Sequence, residues 1–307
     1  MKPFASACFI TGAHVDLAGR LEAEPILHVS NPGRFVRQPG GAGLNAASAA
    51  AALGLSSTIA GPIGDDAEAV ELKQLIVKRG ISDALHALPG QRTGSYTAIM
   101  APDGSMVIGL ADLFIYELVD ASWFATHCGE ALEASDCWFV SANLTEDTLA
   151  DLASKVQDRT LAAATVSPAK SVRLKPVLGE LDLIFTNLAE ARALTGLYTV
   201  NGSHLAEALA TGGVKAGIIS AAEDPLTWWD GNKSGTLMPP PVETLADVNG
   251  AGDALAGAAL AALAQGRPME EAARLGIAAA QLTLCVPEPF HEGLNWTLVE
   301  EMVARNE

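Results

Sequence analysis

No Gly-Lys dipeptide occurs in the 307-residue chain, which excludes the phosphate loop of Walker-type NTPases. The first predicted strand, Ala7–Thr11, runs into Gly12-Ala13-His14-Val15-Asp16, which lacks the GxGxxG turn of dinucleotide-binding dehydrogenases. The four cysteines, Cys8, Cys128, Cys137 and Cys285, form no CxxC pair and have no histidines at zinc-ligand spacing. They read as reduced thiols in a cytoplasmic protein. Basic residues are scarce, 19 Lys and Arg against 36 Asp and Glu, and the net charge is −17 with no basic cluster. Such a surface repels nucleic-acid backbones and anionic membranes, so neither is an expected partner. The longest apolar run, Ala254–Ala264, is too short to span a bilayer and reads as a buried Ala-rich helix. One lysine and a short apolar patch open the chain, which turns polar by His14 and Asp16, so no targeting segment is expected.

Apolar residues make up 49% of the chain, enough for a sizeable core. From Cys137 onward short apolar segments alternate with helical ones. Strands are predicted at Cys137–Ser141, Leu161–Val166, Leu183–Phe185 and Gly217–Ser220, with helices such as Glu146–Lys155 and Leu188–Leu194 in the gaps. This alternation predicts parallel strands with right-handed crossovers, and their uniform apolarity predicts burial on both faces. The expected fold is α/β, a doubly wound and mostly parallel central sheet with helices on both faces. Two β-ribbons interrupt it. One is expected at Pro25–Ser30 and Arg34–Gln38 around Asn31-Pro32-Gly33, the other at Gly94–Met100 and Met106–Leu110 around Pro102-Asp103-Gly104. Together they predict a small β-sheet lid, inserted at about 20–39 and 94–111 into one domain spanning 1–307. A third ribbon, Leu226–Trp229 with Thr236–Met238, precedes three closing helices at Gly250–Ala264, Met269–Leu282 and Thr297–Ala304.

Glycine-marked stretches carry the chemistry. In Asp247-Val248-Asn249-Gly250-Ala251-Gly252-Asp253, the residues Gly250, Ala251 and Gly252 would set unpaired N–H groups at the positive end of a helix. Asp253 stands beside that anion site in the first turn. Phosphoryl transfer uses both, because amides stabilise the transferring group and a carboxylate takes the proton of the attacking hydroxyl. The plain alternative is a glycine-rich helix start with a dipole-favoured Asp. Gly40-Gly41-Ala42-Gly43-Leu44-Asn45 precedes an Ala-rich helix at Leu44–Leu53. The glycines allow close backbone approach of a ligand, and Asn45 offers donor and acceptor to hydroxyls. A flexible loop before a packing helix is the alternative. Asp16 follows the first strand, at the sheet edge where such folds bind ligands, and could accept from two vicinal hydroxyls.

Gly40-Gly41 with Asn45, and Asp247 through Asp253, resemble in order and separation the two signature regions of the ribokinase (phosphofructokinase-B) family. The resemblance runs from Gly12 to the C-terminal helices. It implies an ATP-dependent kinase, with Mg2+ held through the ATP phosphates and no dedicated protein-only metal site. It implies Asp253 as catalytic base, Gly250, Ala251 and Gly252 as anion hole, and Asp16, Gly40, Gly41 and Asn45 on the substrate hydroxyls. Asn187 and Glu190 resemble the family's Asn-x-x-Glu element near Mg2+ and the phosphates, with a plain first-turn glutamate as the alternative. Ser220 and Ala222 fall beside the nucleotide, and Asp247 with Asn249 marks a candidate monovalent-cation (K+) position. The chain departs from the pattern at Asn249, a frequent threonine, at Ala42, a frequent lysine in ribokinases, and at Ala222 and Pro225, where glycines are usual.

Three further stretches resemble pseudouridine kinases: Tyr96–Met100 with Asp103-Gly104 and Ala111–Glu117, then Ala142-Asn143-Leu144, then Val166-Ser167-Pro168 with Ser171-Val172 and Leu174. They imply pseudouridine as acceptor, phosphorylated on its 5′-hydroxyl, with Asp112 and Asn143 at the ribose or base edge. A free-sugar kinase is the alternative, disfavoured by Ala42. A non-catalytic sugar- or nucleoside-binding homologue is the other, favoured by the altered Ser220–Pro225 segment. A lid with one face over the ligand leaves its other face uncovered, so a homodimer through the lid is expected.

Overall fold

Alternate residues of the first strand serve opposite sides of the sheet: Ala7 and Phe9 join one apolar cluster, Cys8 and Ile10 the other. Cys137 and Phe139 against Trp138 and Val140 repeat the pattern in the neighbouring strand. The computed structural model describes residues 2–306 apart from Asn232 and Glu243. In chain order its strands are β1 (Ser6–Ile10), β2 (His14–Leu21), β3 (Gly33–Gly40), β4 (Ser56–Ile63), β5 (Ser82–Ala87), β6 (Ser95–Met100), β7 (Met106–Asp112), β8 (Cys137–Ser141), β9 (Thr160–Ala164), β10 (Leu183–Asn187), β11 (Ala216–Ser220), β12 (Leu226–Trp229) and β13 (Ser234–Leu237).

The large sheet has the order β13-β12-β11-β10-β9-β8-β1-β4-β5. It is parallel from β11 to β5, while β12 and β13 add an antiparallel edge, so the third predicted ribbon extends this sheet. One face is covered by helices Ala42–Ala52, Ala251–Ala264 and Met269–Leu284, the other by Ala121–Glu133, Glu146–Ser154, Leu188–Thr195 and Gly202–Thr211. The chain builds outward from β1 in both directions, so the order switches between β1 and β8. Ligands of doubly wound sheets bind outside the carboxyl ends at such a switch. Here Thr11 and Ser141, one residue past β1 and last in β8, meet through their hydroxyls at 3.1 Å.

The two early ribbons form a separate four-stranded sheet, β3-β2-β6-β7. Its first strand is not Pro25–Ser30 but His14–Leu21, paired antiparallel with Gly33–Gly40. Pro25–Ser30 lies in the intervening loop, closed by the Asn31 side chain, which donates to Ile26 O and Val29 O and accepts from the Ile26 N–H. Asp16 therefore stands inside the small sheet rather than in a loop after β1. Gly19 hides the strand from its sequence, yet the Phe35 ring comes within 2.8 Å of where a Gly19 Cβ would stand. The strands β4 and β5 were not expected either. Gly61-Pro62 looks like a strand breaker, but a side chain at Gly61 would begin 1.8 Å from Thr11 O, so glycine is required there. As an edge strand β5 is half-exposed and lacks the uniform apolarity of its neighbours.

Helices Ala42–Ala52 and Ala251–Ala264 pack closely because alanine and glycine line their seam. A Cβ at Gly257 would begin 2.3 Å from Ala46 O. Gly257→Ala should therefore destabilise the fold by about 1–3 kcal/mol, although alanine favours helix. Chemical denaturation checks this; an unchanged or raised midpoint contradicts the close seam.

Candidate active site

Most helix starts here are closed by a side chain. Asp66, Asp120, Thr145, Asn187 and Asn201 each accept from first-turn amides of their helices. The helices Ala42–Ala52 and Ala251–Ala264 instead begin at Gly41 and Gly250 with no side-chain cap. Gly250 has φ 76, and a Cβ there would lie 1.9 Å from Pro289 O. Glycine is thus required by conformation and by space. Ala254 N–H bonds Gly250 O at 2.8 Å, and the earlier first-turn amides have no intrahelical partner. Gly252 differs: a Cβ there would meet no atom within 4 Å, so protein packing does not demand glycine.

Asp253 sits in that first turn, and Asn45 Nδ2 donates to its Oδ2 at 2.9 Å. The bond joins these two glycine-started helices. Asn45 Oδ1 and Asp16 Oδ1 are buried and have no hydrogen-bond partner among the described residues. His14 Nε2 lies 3.3 Å from Asp16 Oδ1 without the alignment of a hydrogen bond. His14 Nδ1 in turn faces the buried Tyr116 hydroxyl at 3.3 Å. A Cβ at Gly40 would lie 2.1 Å from Asp16 Oδ2, so this glycine makes room for the carboxylate. Gly41, at φ 112, turns the chain into the helix. Burial pushes the Asp253 carboxyl from its ordinary 3.8 up to about 7; the Asn45 bond opposes this, and the charges of Asp16 and Glu190 add to it.

Asp253 opens on a cavity of about 370 Å³ shared with Asn249, Gly250, Gly252, Asn187, Glu190 and Ser220. Glu190 is a capping-box residue: Asn187 Oδ1 accepts its N–H at 2.9 Å, and its Oε2 accepts the Asn187 N–H at 3.1 Å. The Thr165 hydroxyl donates to the same Oε2. The structural alternative for Glu190 is thus present, at a residue that also faces the cavity. A second, mainly apolar cavity of about 690 Å³ is lined by Met238, Pro240, Leu245 and Ile277 and meets the first at Ser220, Val248, Gly252 and Leu255. Ala222 lines it at φ 53, a backbone state that favours glycine, whereas Pro225 is not among its lining residues. Both oxygens of Asp247 accept from Asn249, at 3.1 and 3.3 Å.

The sequence candidates Asp112 and Asn143 line neither cavity. Asp112 ends β7 opposite Ser95 and is exposed. Asn143 is buried beyond the end of β8, where its Oδ1 accepts from Lys170 Nζ at 2.7 Å and Arg173 donates to its backbone carbonyl at 3.0 Å. Burial, and then Arg173, hold the Lys170 ammonium below its usual range. Lys170 and Thr165 were not singled out from sequence. Both act through partners more than twenty residues away, which no local pattern reveals.

A doubly wound sheet with its carboxyl-edge cleft beside a small four-stranded sheet is the ribokinase architecture. The chain belongs to the pfkB family of carbohydrate kinases, whose family profile matches residues 9–290. A carbohydrate kinase from Agrobacterium tumefaciens is 36% identical and superposes with a TM-score of 0.84 over 97% of both chains. Pseudouridine kinase of Escherichia coli (strain K12) is 25% identical over 279 residues, 90% of this chain and 89% of that protein. Ribokinase II from E. coli, solved in complex with ATP and Mg2+, superposes with a TM-score of 0.83 at 17% identity, over 98% of this chain and 99% of its own.

The raised pKa of Asp253 fixes a sign for stability. The folded state holds a proton that the unfolded chain releases, so the stabilisation is complete below about pH 4 and is lost as pH rises through about 7. Asp253→Asn keeps an acceptor for Asn45 and removes the ionisation. It should melt above the wild type at pH 8 and at the same temperature near pH 4. Equal melting temperatures at both pH values contradict a buried, proton-holding Asp253.

Proposed function

We propose that the protein transfers the γ-phosphate of ATP to the 5′-hydroxyl of a nucleoside, pseudouridine first among them. The observation that carries the kinase reading is Asp253, bonded to Asn45 beside the uncapped amides of Gly250–Gly252 and lining a polar cavity that meets an apolar one at Gly252. The apolar cavity suits a purine nucleoside, and the absence of protein crowding at Gly252 suits close approach of phosphate oxygens. The relative solved with ATP and Mg2+ supports the same pair here. Asn187 and Glu190, which line the polar cavity, would help hold the Mg2+ that arrives with ATP, its other ligands coming from phosphate and water. Bound ATP and Mg2+ supply the phosphoryl group and counter-charge for its oxygens.

The chain's own groups do the rest. The orphaned oxygens of Asp16 and Asn45 accept from acceptor hydroxyls and orient the sugar. Ionised Asp253 takes the proton of the attacking hydroxyl, and the amides of Ala251 and Gly252 stabilise charge on the transferred group. The Asp247–Asn249 pair is the candidate K+ neighbourhood.

Pseudouridine is favoured by the Lys170–Asn143 pair, which sets an ammonium and an amide beyond β8 and β9, where they can read the carbonyl and N–H edges of a uracil. A free sugar would leave that partly buried pair without a ligand. The relation to a pseudouridine kinase over nine-tenths of the chain points the same way. In this reading the small sheet is a lid over the acceptor, and its exposed Phe35, Ile108 and Leu110, which the register sets on the face opposite Asp16, pack against a second copy of the chain.

A panel of nucleosides and free sugars with Mg-ATP, read by the mass gain of one phosphate, tests the acceptor. Pseudouridine should be phosphorylated best; a free sugar phosphorylated far better overturns the acceptor and leaves the kinase. Asp253→Asn should cut turnover by about two orders of magnitude or more while substrate affinity stays. Wild-type kcat should rise with pH through about 7.

A further inference from the structure

Arg79 ends the helix Ala67–Lys78 and lies far in sequence from every residue of the site. Its side chain is only 6% exposed. Nη2 and Nε donate to Glu292 Oε1 at 2.7 and 3.2 Å, Nη1 donates to Ser48 Oγ at 3.1 Å, and the cation lies 4.6 Å from the Phe290 ring centre. These partners sit on the two elements that frame the site. Ser48 is one turn beyond Asn45 on the same helix. Phe290 follows Pro289, whose carbonyl oxygen fills the place where a Gly250 side chain would begin.

We propose that Arg79 is a positioning residue for phosphoryl transfer, tying the Asn45 helix to the Pro289–Phe290 segment and thereby fixing the Asn45–Asp253 contact against the amides at Gly250. The proposal rests on the kinase reading for its effect on turnover. A guanidinium suits the task, because its donors point in fixed directions in one plane and its face stacks on a ring. Packing alone does not require the charge. Glu292 is 52% exposed, so water can solvate it if the guanidinium goes, and Ser48 Oγ has its own bond to Leu44 O at 2.7 Å. What remains distinctive is that one rigid group touches both walls of the cleft.

Loosening these walls should weaken the Asn45 bond, which now lowers the pKa of Asp253 against burial and the charges of Asp16 and Glu190. In Arg79→Met, kcat should therefore fall by about tenfold to a hundredfold, with the pH midpoint of kcat moved upward and the KM for ATP held. Arg79→Lys, which retains a cation and single-point donors, should be intermediate; it also serves if Arg79→Met folds poorly. The carbon-13 titration of the Asp253 carboxyl should move upward in the same variants, and this reading needs no turnover. Wild-type kcat with an unmoved pH midpoint, even at a lower melting temperature, overturns the proposal. If wild type shows no turnover, the function assignment fails, and an unmoved carboxyl titration separately overturns the role of Arg79.

Discussion

One hydrogen bond, from Asn45 to Asp253, joins the two helices that face the cleft. It forms only because several small residues let those helices meet. Ala46 and Gly257 bring the backbones together along the seam. Gly41 and Gly250 turn the chain into each helix without a capping side chain, which leaves first-turn amides free at the mouth. A carboxylate beside free amides and beneath an asparagine is a place where a hydroxyl can lose its proton while an anion is held. Both of these helices lie on one face of the sheet, and their starts meet near the strand-order switch between β1 and β8.

The site is costly to the fold, and the costs share one direction. Asp253 holds a carboxyl in surroundings that favour its neutral form, and Asp16 and Glu190 add to that pressure. Asn45 and Asp16 each keep a buried oxygen without a partner among the described residues, a penalty of about 1–3 kcal/mol for each such group. Ala222 holds a left-handed backbone that glycine would adopt more easily. These features lie around the cleft, whereas the strand core is mainly apolar. Stability surrendered at such positions and recovered in the core is what a binding or catalytic site predicts.

Most strands of the large sheet that are buried on both faces were legible in sequence. Cys137–Ser141 and the β10 and β11 segments show as short apolar runs, and the structure places them there. The edge strand β5 and the glycine-containing β2 and β4 were hidden, because exposure removes the apolar signal and Gly19 and Gly61 mimic breakers. The Gly250–Asp253 element was legible because a glycine-marked helix start has local chemistry. The Glu190–Thr165 and Asn143–Lys170 contacts were not, since their partners come together only through the parallel crossovers. The lone His14 proved to be buried between Asp16 and Tyr116, a setting that its spacing alone does not encode.

The account turns on the protonation of Asp253. Carbon-13 labelling of aspartate carboxyls, with the Asp253 signal assigned by its loss in Asp253→Asn, allows a direct titration of the ligand-free protein. The account predicts a midpoint at about 7. A midpoint near the ordinary 3.8 would mean that the carboxyl is freely solvated, and the central contact of the site would then have to be rebuilt.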